Sequence, residues 1–213
     1  LMDQFPYIYA YIDFHCAYGA IVHPWGDDQL QLSNPSMNFM NPVYDHQRDP
    51  NSGSYGEYMP PEDLETFRRL GQKFCNALAG VRGASYQVMS AVELAPAPDV
   101  DPQSPALWWY SATSGANDDY AYSRHFSDPS KSKILAFTVE FGTPVDNTSD
   151  ATAVVGFQPA IPQMQWIIQD LIAGTLGFCL EVRASVPSQR SYLLIALLVA
   201  VITLLVVSLC TAL

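Results

Sequence analysis

Glu140 closes an unbroken apolar run, Ile134-Leu-Ala-Phe-Thr-Val139, whose β-branched and aromatic content reads as a strand buried on both faces. A carboxylate at the end of such a strand is costly to desolvate unless it is used or paired. The residues alone leave two readings open: a catalytic group, or a structural one satisfied by its neighbours. His15 stands in a similar setting, just past Pro6–Phe14, a second predicted strand that opens Tyr7-Ile-Tyr-Ala-Tyr-Ile12. A histidine at the carboxyl end of a buried strand is where α/β proteins place chemistry. The competing reading is an ordinary hydrogen-bonded histidine at the rim of the core. Between these two strands, Thr113–Tyr122 holds Gly115, Asn117, Asp118 and Asp119, the composition of a polar turn-rich loop.

Other candidates are weaker. Asp45, Asp49, Asn51 and Glu57 do not fall at the offsets of an EF-hand loop and read as solvated side chains. Cys16, Cys75, Cys179 and Cys210 match neither a zinc ribbon nor a redox pair. Cys75 and Cys179 fall on predicted helices, which leaves pairing in an oxidising compartment or burial as free thiols open.

Positioning these groups requires an alternating set of elements. Pro61–Ala79 is a predicted helix: Pro at its start, Glu62, Asp63 and Glu65 against the dipole, and Leu64, Phe67, Leu70, Phe74 and Leu78 on one apolar face. Gly80 and Gly83 are expected to stop it. Tyr86–Leu94 reads as a strand. A helix from about Pro162 to Leu180 carries Met164, Ile167, Ile168, Leu171, Ile172 and Leu176 as its expected buried stripe. Residues 26–61, rich in Asn, Pro, Ser and Gly, read as a long lid or rim, and Ala95–Pro105 as a surface loop. The expected fold class is α/β: a partial mixed β-sheet flanked by helices.

The chain of 213 residues supports one such domain, expected over 1–182. Its formal charge of −11 argues against nucleic acid as a partner, because phosphate binding needs a basic face. Tyr192–Leu213 carries no charge and is long enough to cross a bilayer, so residues 191–213 are expected to form one C-terminal transmembrane helix after a linker at 183–190; a terminal anchor, a truncated single span and a tail cleaved for a lipid anchor stay open. Arg183 and Arg190 precede the span and no basic residue comes after it, so the sequence does not set the orientation. Asn147-Thr-Ser149 is a glycosylation sequon. The chain begins at Leu1 almost directly in a predicted strand, and a native N-terminal portion is expected to precede it.

Three segments together resemble the zinc carboxypeptidase family, the metallocarboxypeptidases of the A, B and T type. Ile12-Asp-Phe-His15 with Ile21-Val-His-Pro-Trp-Gly26 after it resembles the strand ending in the third zinc-binding histidine. Ser114-Gly-Ala-Asn-Asp-Asp-Tyr-Ala-Tyr122 resembles the loop lining the specificity pocket. Phe137-Thr-Val-Glu140 resembles the strand of the catalytic glutamate, and Gly156-Phe-Gln-Pro159 resembles the family's Gly-Phe-x-Pro segment beyond that strand. The resemblance covers about residues 6–181, the carboxyl-terminal half of such a domain, and implies an α/β/α sandwich. It implies that His15 binds one zinc ion and that Glu140 is the general base and proton shuttle for water. It places the substrate-capping tyrosine near Tyr110, one residue out of register, where a packing aromatic beside Trp108 and Trp109 is the other reading. Asp118 falls where side-chain preference is set and would favour a C-terminal Lys or Arg; a carboxylate capping backbone amides remains equally open. Asp119 matches a structural position.

The family's remaining zinc ligands, a His-x-x-Glu pair, and its carboxylate-gripping arginines are expected upstream of this chain. The four histidines here, His15, His23, His46 and His125, form no His-x-x-Glu. The implied function is a membrane-anchored zinc carboxypeptidase acting on peptide substrates, with an extracytoplasmic catalytic part, inactive as this fragment. The alternative is a catalytically inactive surface domain that keeps the fold and binds peptide or glycan. Cell-wall peptides or polyglutamyl chains are a narrower substrate option.

Overall fold

A computed structural model describes residues 2–16, 18–48, 54–94, 115–142 and 161–185. The strands are β1 (Ala10–Cys16), β2 (Ala20–His23), β3 (Leu30–Gln31), β4 (Glu57–Tyr58), β5 (Gln87–Ser90) and β6 (Leu135–Phe141). The helices are α1 (Pro61–Arg82), α2 (Asn117–Ser127) and α3 (Ile161–Ser185), with 3₁₀ turns at Pro42–Tyr44 and Ala91–Leu94. Four strands hydrogen-bond in the order β1-β6-β2-β5 as a mixed sheet flanked by helices, the expected α/β class. β3 and β4 form a separate parallel pair, Leu30 opposite Glu57 and Gln31 opposite Tyr58. The chain divides into two compact units, one of residues 1–14, 22–68 and 88–139, the other of residues 15–21, 69–87 and 140–213.

The first unit is centred on Phe67, which is fully buried, as the helical spacing of α1 predicts. Its ring lies 5.1 Å from those of His23, Tyr122 and Phe137, stacked on the first and edge-on to the other two. Edge-to-face and offset stacking at this distance suit the ring quadrupoles. The Tyr122 hydroxyl, inside this cluster, donates to Asp63 (2.8 Å), whose carboxylate also accepts from Lys133 Nζ (2.6 and 2.9 Å). The buried carboxylate at the start of α1 is thus paired rather than solvated.

Expectations for three elements are corrected. β1 starts at Ala10 rather than Pro6, extends past Phe14, and is half-exposed along most of its length. Its apolar run signals an end strand of the described sheet, covered on one edge only, not one buried on both faces. The expected strand at 86–94 stops at Ser90, because the Glu93 carboxylate accepts from Ser90 N (2.6 Å) and Oγ (2.8 Å) and folds the chain into a turn. Part of the polar stretch 113–122 is helical: α2 begins at Asn117, and Asp118 and Asp119 sit in its first turn, where the dipole favours carboxylates.

Within the segment 26–61, residues 29–31 and 57–59 are hydrogen-bonded together, while most of 32–48 is exposed. Glu57 N–H donates to Gln29 O (2.8 Å), Met59 N–H to Gln31 O (3.0 Å), and the Trp25 indole to Tyr58 O (3.1 Å). Glu57 is not solvated: it is buried and accepts from Tyr55 Oη (2.7 Å) and Phe39 N (2.9 Å). Asp45 is exposed and pairs with Arg48.

His23 gives this unit a pH dependence. Its Nδ1 donates to Pro24 O at 2.6 Å, since a carbonyl can only accept. Burial pushes the imidazole down from 6.5 to about 4. A depressed histidine pKa means stability present above about 6.5 and lost as pH falls through 4. His23→Gln is therefore expected to flatten the fall in thermal midpoint between pH 7 and pH 4, measured by calorimetry; an unchanged slope would refute this.

In the second unit, Leu70, Phe74, Cys75 and Leu78 of α1 are buried, and so are Phe178 and Val182 of α3. Of the expected stripe on α3, Met164, Ile167, Ile168 and Leu171 are partly buried, but its later part is rotated. Ile172 and Leu176 are 42% and 47% exposed, whereas Asp170, Gly174 and Thr175 are buried. Close approach explains the rotation: a Cβ on Gly174 would lie 2.8 Å from the Phe74 ring, and one on Gly177 2.5 Å from Ala77 Cβ. Small residues that admit the facing helix therefore outweigh the apolar pattern. Arg82 pairs with Asp170 and Arg69 with Glu181, bracketing the contact. Gly174→Ala is expected to lower unfolding free energy by about 1–3 kcal/mol in urea titration, through overpacking against Phe74; no loss would mean the helices separate freely.

α1 ends at Arg82, with Gly80 inside it and Gly83 beyond it at φ +76°. Cys75 and Cys179 are free thiols, not a disulfide, and burial pushes the Cys75 thiol up to about 12. α3 continues to Ser185, into the stretch expected as linker. Among the described residues no helix is long and apolar enough to cross a membrane. The expected span at 191–213, the sequon at 147–149, the loop at 95–105, Tyr110 and Cys210 lie outside the described residues.

Candidate functional site

β1 and β6 are hydrogen-bonded neighbours, and their carboxyl-side residues His15 and Glu140 both belong to the second unit. His15 Nδ1 lies 3.9 Å from Glu140 Oε1. The histidine side chain is 52% exposed and the glutamate 19%, so an imidazole open to solvent faces a carboxylate recessed beside it. Burial raises the Glu140 carboxyl above its ordinary range, and the neighbouring His15 opposes that rise. A carboxylate of raised basicity is a better proton acceptor than a solvated one. Cys16, the next residue on β1, has its thiol raised by burial and by the Glu140 charge, which keeps it protonated.

Two hydrogen bonds, one backbone and one to a side chain, fix the end of β6. Gly19 N–H donates to Glu140 O at 2.7 Å, and Gly142 N–H donates to Tyr86 Oη at 2.8 Å. Gly19 sits at φ +77°, and a Cβ there would lie 3.1 Å from Gly142 O. Glycine is needed at that corner both for its φ and for the approach of the strand end. Sequence patterns do not single out Gly19, Tyr86 or Gly142; a glycine soon after each of two strand-like runs is the available signal, and Tyr86 offers none.

In the first unit, Asp119 is buried and both its oxygens accept from Gly26 N (3.1 and 3.3 Å). Burial first, then the charge of Asp118, pushes its carboxyl up to about 8, against the donors Gly26 and Gly115. These hydrogen bonds tie the start of α2 to the turn after Trp25. Asp118 is 1% exposed in the first turn of α2. At the start of α2, Asn117 Nδ2 donates to Asp13 Oδ2 at 2.8 Å, and the Tyr11 phenol is raised by burial and by the charges of Asp13 and Asp118.

A zinc site of the catalytic kind takes three protein ligands. Among the described residues no three His, Cys, Asp or Glu side chains converge for a metal ion. His15 contributes one imidazole, with Glu140 beside it, and the described residues do not by themselves make a zinc site. No curated protein matches the chain. The family model for zinc carboxypeptidase matches residues 2–173, most of the sequence. The chain belongs to the zinc carboxypeptidase family.

Proposed function

We propose that this chain carries the His15–Glu140 part of a zinc carboxypeptidase active site, which removes C-terminal residues from peptides. The observation that carries the reading is the approach of an exposed imidazole and a recessed, basic carboxylate to 3.9 Å in a member of this peptidase family. In this reading His15 offers its imidazole to zinc, with the other two ligands supplied from outside this sequence. Glu140 accepts a proton from the attacking water and returns it to the leaving amine. Its recessed position strengthens that role, because desolvation favours the protonated carboxyl. Asp118 sets a preference for C-terminal Lys or Arg, and Tyr110 caps the substrate. The complete domain is an α/β/α sandwich, tethered to a membrane through residues 191–213 with its catalytic part on the extracytoplasmic side.

The test is C-terminal trimming of synthetic peptides by the full-length protein, read by mass spectrometry. Single-residue losses that a chelator stops and added zinc restores support the reading. Intact peptides with zinc present would overturn it. A full-length protein without any His-x-x-Glu pair would favour one second reading, a domain that keeps the fold and binds peptide or glycan without hydrolysing it. Saturable peptide binding without trimming, unchanged by chelator, would establish that alternative.

A further inference from the structure

We propose that Tyr86 is a positioning residue for Glu140, acting through the backbone of Gly142; this rests on the reading of Glu140 as general base. Glu140 is the penultimate residue of β6, so it lies where a strand's ladder ends and local opening is cheapest. Two hydrogen bonds add to the sheet ladder at this end. One is Gly19 N–H to Glu140 O at 2.7 Å. The other is Gly142 N–H to the Tyr86 hydroxyl at 2.8 Å. Gly142 is buried at φ +91°, so its N–H would lose its partner without that hydroxyl.

The contacts form a closed circuit. Gln87 N–H donates to Gly19 O at 3.2 Å, Gly19 donates to Glu140, and Tyr86, the residue before Gln87, returns to Gly142. The Tyr86 ring also borders Gly19: its Cδ1 would lie 3.9 Å from a Cβ built there. Tyr86 thus couples the start of β5, the turn before β2 and the exit of β6 around the catalytic carboxylate. Burial holds the Tyr86 phenol above its ordinary range. Releasing Gly142 frees the strand end to shift, and a misplacement of about 1 Å at a catalytic group costs up to about 100-fold in rate.

The test is Tyr86→Phe in the full-length protein, which removes the hydroxyl and keeps the ring. Two readouts do not need turnover. Amide exchange at Gly142 and Glu140 is expected to accelerate about tenfold or more while Ala136–Val139 stay protected. The His15 imidazole resonances are expected to shift at fixed pH as the carboxylate beside them moves. In turnover, kcat is expected to fall about tenfold with KM within twofold, at rates corrected for the folded fraction. Unchanged exchange at Gly142, or faster exchange with unmoved His15 resonances, overturns the proposal. Loss confined to the thermal midpoint also overturns it, since a purely structural tyrosine would behave that way. If the unaltered protein shows no turnover, the peptidase reading has failed, and exchange and the His15 resonances still decide whether Tyr86 positions Glu140.

Discussion

Glu140→Gln in the full-length protein is expected to lower kcat by about 10²–10⁴-fold, the range for removal of a general acid–base group. Glutamine keeps the shape and can sit beside His15, but it takes no proton at neutral pH. KM is expected to change little, and zinc content to stay the same, because the His15 imidazole is untouched. Stability should move the other way. The folded pKa of Glu140 is raised above its unfolded value of 4.5, so its contribution is present below that pH and lost as pH rises through the folded value. At pH 7 the recessed carboxyl therefore weakens the fold, and the amide relieves it. A variant as stable as the parent or more so at pH 7, with that advantage gone below pH 4.5, and nearly inactive throughout, is the expected pattern. Initial rates on a peptide substrate and thermal unfolding at both pH values supply the measurement. Turnover within about threefold of the parent would remove Glu140 from the mechanism.

Phe67→Ala is expected to cost about 3–5 kcal/mol, the range for emptying a buried aromatic site. Phe67 is fully buried and contacts three rings at 5.1 Å, each from a different element: His23 of β2, Tyr122 of α2 and Phe137 of β6. Two of the three neighbours are held elsewhere and cannot readily collapse into the space: His23 by Pro24 O and Tyr122 by Asp63. The cost is therefore expected near the top of the range. Urea unfolding compares the two proteins. A loss below about 1.5 kcal/mol would show that the cluster repacks, and would remove Phe67 from the centre of this unit. Phe67→Leu, which fills more of the space, is expected to recover about half of the loss.

Elements with a local signal were legible in the residues alone. The α1 face of Leu64, Phe67, Leu70, Phe74 and Leu78 is expected from helical spacing, and all five residues are buried. The apolar run of β6 is expected from its composition, and Leu135–Val139 are buried. The order of three short segments was enough for the family, because residue types at fixed spacing survive without the fold. Tertiary packing settled the remainder. Which residues of α3 face inward was set by Gly174 and Gly177, since close packing against Phe74 and Ala77 depends on the partner helix, not on hydrophobic period. Whether Glu57 was solvated depended on Tyr55 and on Phe39, a residue 18 positions away. The corner of Gly19, Tyr86 and Gly142 joins residues as far as 123 positions apart, and nothing in any one of their neighbourhoods specifies the others. Periodicity reports what a residue shares with its own turn or strand; contacts between distant segments arise from their joint packing, and those contacts place the carboxylate of Glu140 beside His15.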